Sequence, residues 1–287
     1  MVSLDQLAAL DALLWLTSSQ RAAGLERTNQ STILRRSRAV EECFGVRIER
    51  GLGGWDLRGD TGLLALERRI HQRARLRGHR PLRLHAPFWT LQGRLGQLPP
   101  GWCSNPPTAS PVCENPLALL RSRVIDAALL TPTQLPERDE ALLSVELYAS
   151  PIELTLFPDA GLSDPRGTFE RLRAQGQLRL RLPPFLPHSC LLRCREWFGQ
   201  LNPAARVSRG PFREAAPLSV AFLTPEMREV QERPWLVDDS QAPQPYVERL
   251  VILAELAEEA AFQRLGDHLT ALFGPRQGAG ATLLRLA

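Results

Sequence analysis

The chain contains no lysine, and all 35 of its basic side chains are arginine. With no lysine anywhere in the chain, that choice reads as genome base composition rather than selection for phosphate-gripping forks. Cysteine is scarce too. Cys43, Cys103, Cys113, Cys190 and Cys194 are too few and too scattered for a disulfide framework in 287 residues, and they fit a reducing compartment. Long hydrophobic runs are missing. The stretch from Ala8 to Leu16 is broken by Asp11 and stops well short of a membrane span. No basic segment followed by an apolar run and a cleavage site opens the chain. The expectation is a soluble, cytoplasmic protein without a membrane partner.

The 44% of apolar residues is enough for real cores, and the length suits two or three domains. Charge is distributed unevenly. Residues 1–80 carry 14 arginines against 9 acids, whereas the other 207 residues carry 21 against 22. A basic head on a nearly neutral body points to a polyanion-binding module attached to something whose work is not electrostatic.

Along the chain, Leu4 to Leu16 has a broad apolar helical face. Thr17, Ser18 and Ser19 end it and can cap a short helix from Gln20 to Leu25, where Ala22 and Ala23 permit close packing. Asn29 or Thr28 caps a longer helix that runs to about Phe44, with Gly45 as a left-handed stop. Val46 to Ile48, the glycines 51, 53 and 54, and Trp55 to Leu57 read as a β-hairpin. A second long helix, from Asp60 to near Gly78, carries Leu63, Leu66, Ile70 and Ala74 on one stripe and arginines 68, 69, 73, 75 and 77 elsewhere. These arginines are expected to be solvated more often than in contact with phosphate.

After Arg80 short strands alternate with helices. Strands are expected at Pro81–Ala86, Ile125–Leu130, Leu142–Tyr148, Ile152–Phe157, Leu178–Leu182, Leu218–Leu223 and Val247–Leu253. Helices are expected at Leu117–Arg123, Ser189–Leu201 and Glu255–Phe273. This alternation predicts an α/β architecture with a parallel-rich sheet. Leu98 to Pro116, with six prolines and two cysteines, reads as loop, and the tail after Gly274 as frayed.

Two short helices joined by a tight turn form a helix-turn-helix, whose second helix enters the major groove and presents polar and basic side chains near its start. Here that helix begins Asn29-Gln30-Ser31-Thr32 and continues through Arg35, Arg36, Ser37 and Arg38. Glutamine suits adenine edges, arginine suits guanine edges or phosphates, and a helix N-terminus favours a phosphate. A three-helix fragment used for protein contacts would share the pattern.

The run Ser19 to Ala23, the run Asn29 to Glu41, then Phe44 to Arg50, the glycine wing, Leu57 and Thr61-Gly62 together resemble the N-terminal module of LysR-type transcriptional regulators. The resemblance covers residues 1–78. It implies that Gln30, Ser31, Thr32 and Arg35 face the groove, with Arg36, Arg38 and Arg50 nearer the phosphates. It also implies that the linker helix joins two subunits through Leu63, Leu66, Ile70 and Ala74. Leu34 and Ser37 exchange the polar and apolar character usual in that family.

In that family the remainder is a periplasmic-binding-protein-like effector domain of two α/β lobes. Leu117 to Leu130 is similar to its first lobe, Leu147 to Pro158 to a crossing into the second, and Ala221 to Met227 to the return crossing. Ligands in such folds lie between the lobes. The expected lining is Phe88, Trp89 and Thr90 after the first strand, Thr131 and Pro132 after the strand that follows Asp126, and Phe185, Phe222 and Thr224 opposite. Such a lining suits an apolar or aromatic effector better than a small anion.

Cys190 and Cys194 with His188 are a candidate metal or redox group, and Cys103 with Cys113 a candidate disulfide switch. They lack the further ligands that a metal needs. No metal, cofactor or catalytic constellation is read from the sequence.

The implied organisation is a winged helix-turn-helix over 1–59, a linker and dimerisation helix over 60–79, a two-lobed effector domain over 80–274 and a tail over 275–287. The expected partners are double-stranded DNA, a small-molecule effector of unknown identity and further copies of the chain, as a homodimer or homotetramer. Two rivals stay open: a DNA-binding protein whose second half only oligomerises, and an enzyme with a DNA-binding head.

Overall fold

The computed structural model describes residues 2–51, 54–93, 95–107, 115–158, 162–181, 188–201, 218–229, 236–241, 245–273 and 284–286. The head comprises α1 (Leu4–Leu16), α2 (Ser19–Leu25), α3 (Gln30–Phe44) and a hairpin of β1 (Arg47–Gly51) and β2 (Gly54–Arg58). Its boundaries follow from capping chemistry. Ser3 and Gln6 form a reciprocal capping box on α1, and the Ser18 hydroxyl accepts from the backbone of Arg21. Gly45 ends α3 in the left-handed region, φ 65°.

The helix α1 is apolar on all sides because it serves two cores. Ala9, Ala12 and Leu13 pack with Ala22, Ala23 and Ile33 inside the head. Leu7, Leu10, Leu14, Trp15 and Leu16 belong instead to the large core that continues into the body. The Trp15 indole donates to His85 Nδ1 at 3.2 Å, across this junction. Burial pulls the His85 pKa down to about 4, so the ring stays neutral and keeps Nδ1 free to accept.

The connecting helix α4 (Gly62–Leu76) leads into a mixed sheet built from β3 (Leu82–His85), β4 (Trp102–Ser104), β5 (Ala127–Leu130), β6 (Asp139–Ser150), β10 (Tyr246–Leu253) and β11 (Leu284–Leu286). Its order is β11-β6-β10-β5-β3-β4. Between these come α5 (Phe88–Gly93), α6 (Pro116–Arg121), and a 3-10 turn at Pro132–Gln134. A second sheet, in the order β8-β7-β9, holds β7 (Glu153–Pro158), β8 (Leu218–Leu223) and β9 (Leu236–Gln241). Around it lie α7 (Pro165–Ala174), α8 (His188–Leu201) and α9 (Pro225–Glu229), and α10 (Ala260–Phe273) closes the body. This is an α/β body of two sheets behind a winged head.

Several expectations need correction. Among the described strands, β3–β4 and β3–β5 pair in parallel and the other pairs are antiparallel, so the described body is not parallel-rich. The reason is the long β6, whose partner β10 arrives from the far end of the chain and runs against it. The stretch read as loop contains β4, whose Trp102 packs edge-on against Phe262 at 5.3 Å. Its three residues were hidden among prolines. Of the strand expected at Leu178–Leu182, the described residues 178–181 make a bridge, Leu180 to Val220, rather than a strand, and Leu182 lies outside the described residues. The closing helix begins at Ala260, after a 3-10 turn. The segment Ala221 to Met227 is not the return crossing. After β8 the chain forms α9, goes back to the second sheet as β9, and enters the first sheet only at β10. The strand β11 comes from the segment read as a tail.

The junction between head, α4 and first sheet is a lattice of buried charge. Arg68 reaches Asp11 at 2.8 Å, with exposures of 4% and 1%. Arg75 grips Asp126 through two nitrogens at 2.9 and 2.8 Å, and Gln72 adds a bond at 3.0 Å. Asp126 also accepts from the backbone of Arg83, whose guanidinium lies 3.4 Å from Asp11. The arginines at 68 and 75 were expected at the surface; their acids lie far away in sequence, so spacing along the helix did not reveal them.

A third buried acid, Glu248 on β10, accepts from Thr90 Oγ1 at 3.0 Å, Tyr246 OH at 2.8 Å and Tyr148 OH at 3.4 Å. Burial pushes its pKa up to about 7.

Two outcomes follow. Replacing Asp126 by Asn removes the carboxylate that Arg75 grips with two nitrogens in the buried junction, so urea unfolding should show a loss of about 3–5 kcal/mol; a loss below ~1 kcal/mol would mean that the lattice is solvated. For Glu248 the folded pKa lies above the unfolded value, so its contribution is fully present below the unfolded pKa and is lost as pH rises through about 7. Thermal melts at pH 5 and pH 8 should therefore show the stability gap between wild type and Glu248→Gln moving in favour of the variant at the higher pH. A gap that does not change with pH would refute this.

Candidate DNA interface and ligand cavity

The start of α3 is organised by Asn29. Its Oδ1 accepts from the backbone of Thr32 and from Ser31 Oγ, both at 2.8 Å. That fixes the first turn and leaves the Ser31 oxygen outward as an acceptor. Gln30 Oε1 accepts from Ser19 Oγ at 3.3 Å, which ties α3 to α2 and leaves the Gln30 amide N–H groups available.

Ile33, Ser37 and Val40 are buried, at positions i, i+4 and i+7. The opposite stripe, Ser31, Arg35, Arg38 and Glu42, is exposed. Among the described residues neither Arg35 nor Arg38 meets an acid. A row of hydroxyl, guanidinium and guanidinium at one-turn spacing is suited to a duplex groove. Arg50 is also exposed, on the hairpin.

Arg36 differs from expectation. It is half-buried, and Asp5 of α1 holds it at 3.1 Å, so it braces the head. Ser37, at the position usually apolar in the resembled family, is 1% exposed, and its hydroxyl has no hydrogen-bond partner among the described residues. Leu34, the other exchanged position, is half-buried.

On α4, Leu63, Leu66 and Ile70 are 68%, 60% and 63% exposed. The helix buries the other side, through Leu64, Arg68, His71, Gln72 and Arg75. Ala74, the fourth residue of the expected stripe, is half-buried and lies instead at a small gap facing α1.

A cavity of about 280 Å³ lies where the first sheet, the second sheet and α8 meet. Thr131, Pro132 and Phe222 line it as expected, together with Ile152, Cys194, Trp197, Met227 and Tyr246. The other expected residues lie elsewhere. Thr90 is buried and committed to Glu248. Trp89 stands edge-on to Tyr246, 5.7 Å between ring centres, one layer behind the wall. Phe88 is half-buried outside the described lining, and the Thr224 hydroxyl caps α9 by accepting from Met227 N at 3.3 Å. Phe185 lies outside the described residues.

Reading the sequence missed Trp197, Cys194 and Tyr246. The spacing of Cys194 and Trp197 along an amphipathic helix marks one inward face, but nothing in the sequence says what that face meets.

The cysteine pairs can be compared with the fold only in part. Cys113 and the side chain of Cys190 lie outside the described residues. Cys103 is pushed up to about 11 by burial, so its sulfur stays protonated and unreactive near neutrality. Among the described residues no group of three or more His, Cys, Asp or Glu side chains could hold a metal, and no helix is long and apolar enough to cross a membrane.

No protein-family model matches the chain, and no curated protein sequence matches it. Solved structures do. ArgP from Mycobacterium tuberculosis is 13% identical, with 95% of this chain and 97% of that one covered, at a TM-score of 0.48. Full-length OxyR from Pseudomonas aeruginosa is 16% identical over 95% and 99%, at 0.46. CrgA, a LysR-type transcriptional regulator from Neisseria meningitidis, is 16% identical over 94% and 98%, at 0.41.

Proposed function

We propose that the chain is a sequence-specific DNA-binding transcriptional regulator of the LysR type. In this reading residues 1–59 read the duplex, 60–79 join two subunits, and a small-molecule effector binds in the cavity of the body over 80–274. The observation that carries the reading is the exposed stripe Ser31, Arg35 and Arg38 on a helix whose start is locked by Asn29 and whose far side is anchored in the head.

Gln30, Ser31, Thr32 and Arg35 face the groove, while Arg38 and Arg50 contact the backbone. Arg36, held by Asp5, positions the helix. Dimerisation through Leu63, Leu66 and Ile70 would cover three exposed apolar side chains on a helix whose other face is already fixed, and it would place two heads at a set spacing. Effector control works by population shift, since a ligand favours whichever arrangement of the two sheets it binds better. Thr131, Pro132 and Tyr246 are the first contacts expected to differ between those arrangements.

The test begins with genome-wide mapping of bound DNA in the source cell, followed by anisotropy titrations on a recovered site. Arg35→Ala should weaken binding by ~1–3 kcal/mol and relax discrimination at one base pair. Arg38→Ala should weaken all sequences alike and lower the salt slope by about one. Wild-type affinity in both variants would take α3 out of the groove. Sedimentation of Leu66→Arg should give monomer where the parent gives dimer; an unchanged dimer would place the seam elsewhere.

A further inference from the structure

We infer that Ser31 is a specificity-determining acceptor: its hydroxyl oxygen takes a hydrogen from the exocyclic amine of an adenine or a cytosine in the major groove, and Asn29 is the positioning residue that makes it an acceptor. The inference rests on the proposed reading of α3 as the helix in the groove.

A serine facing base edges is ordinarily ambiguous. A hydroxyl has one hydrogen to give and two lone pairs to receive, so it suits amine and keto groups alike. Here the ambiguity is removed before DNA arrives. The Thr32 backbone N–H meets one atom of the Asn29 amide at 2.8 Å. An N–H can only donate, so that atom is the oxygen, and the amide has one permitted orientation. The same oxygen lies 2.8 Å from Ser31 Oγ. An amide oxygen carries no hydrogen, so Ser31 must be the donor. The single Ser31 hydrogen is spent along the first turn, and the two lone pairs of Asn29 Oδ1 are filled. Among the described residues Ser31 Oγ accepts no bond, and the side chain is exposed. What it offers to a partner is an acceptor. A serine or threonine cap would not have this effect, because a hydroxyl at position 29 could itself give a hydrogen to Ser31.

Arg35 follows one turn later on the same exposed stripe and can only donate. Four residues of helix rise about 6 Å, less than two base-pair steps of ~3.4 Å each. Ser31 and Arg35 therefore read within two base pairs of one another, one selecting an amine and the other the acceptor edge of a guanine. Turning the Ser31 hydroxyl toward a keto oxygen instead would break its bond to Asn29, which costs one net hydrogen bond.

The experiment uses the full-length chain and a recovered duplex, read by anisotropy. Within two base pairs of the position that Arg35→Ala relaxes, each adenine is replaced by purine and each cytosine by 2-pyrimidinone, which deletes the exocyclic amine. A matching set deletes the keto oxygens one at a time. Deletion also weakens base pairing, so every duplex is measured with Ser31→Ala as well. The expected result is one position where losing the amine weakens wild type about fivefold, the worth of one net hydrogen bond, and leaves Ser31→Ala unchanged. Asn29→Ala frees the Ser31 hydrogen and should bring that ratio toward one, whereas Asn29→Asp keeps an acceptor oxygen and should preserve it. A weakened helix cap lowers affinity for all the duplexes alike and does not move the ratio. No Ser31-dependent amine, a Ser31-dependent keto oxygen, or a ratio that survives Asn29→Ala overturns the inference, while weakened binding by Arg35→Ala and Arg38→Ala keeps α3 in the groove. Wild-type affinity in both arginine variants removes the groove reading itself, and the inference with it.

Discussion

The bidentate grip of Arg75 on Asp126 is the constraint around which the molecule is arranged. Both side chains are out of water, at 5% and 0% exposure, and two ions so placed are tolerable only if every lone pair and hydrogen is satisfied. Asp126 meets that condition with Gln72 and the Arg83 backbone as well as Arg75. Such pairs add little net stability over well-packed apolar side chains. They do penalise misplacement heavily, because any shift that separates the partners strands a charge in the core. The helix α4 therefore has one permitted register against β3 and β5, and its apolar stripe has one permitted direction, outward.

The lattice does not stop at Asp126. Arg83 also reaches Asp11 on α1, whose other partner is Arg68, and it lies 3.7 Å from Glu26 beyond α2. Arg80 pairs with both Glu26 and Asp5, and Asp5 holds Arg36 on α3. Alternating charges thus run without a gap from the helix proposed to read DNA to β3 of the first sheet. At its other end β5 runs out into Thr131, on the cavity wall. Contiguity of this kind is a geometric fact and not a measured coupling. It does mean that head, α4 and first sheet are tied to one another by paired charges as well as by the apolar core.

What could be read from the sequence was local. Ser18, Asn29 and Gly45 marked helix ends because a cap needs only its own neighbours in sequence, and those elements lie where expected. The exposed Leu63, Leu66 and Ile70 followed from helical spacing. The buried arginines did not. A helix bearing five arginines looks solvated until Asp11 and Asp126, each more than fifty positions away, are brought to it. The cavity shows the same division. Thr131 and Pro132 follow directly from a strand end, whereas Trp89 and Thr90, at the next strand end, turned inward once Glu248 gave them somewhere to donate.

That last displacement explains the character of the cavity. Thr90, Tyr148 and Tyr246 gather on one buried acid, and of these three Tyr246 is the one that lines the cavity. Glu248 is absent from the described lining, yet it takes the Tyr246 hydroxyl hydrogen into the interior and so holds that ring in the cavity wall, between Pro245 and Val247. The rest of the described lining is largely apolar, through Ile152, Trp197, Phe222 and Met227, so these side chains set the shape of the cavity while the buried acid sets the position of Tyr246.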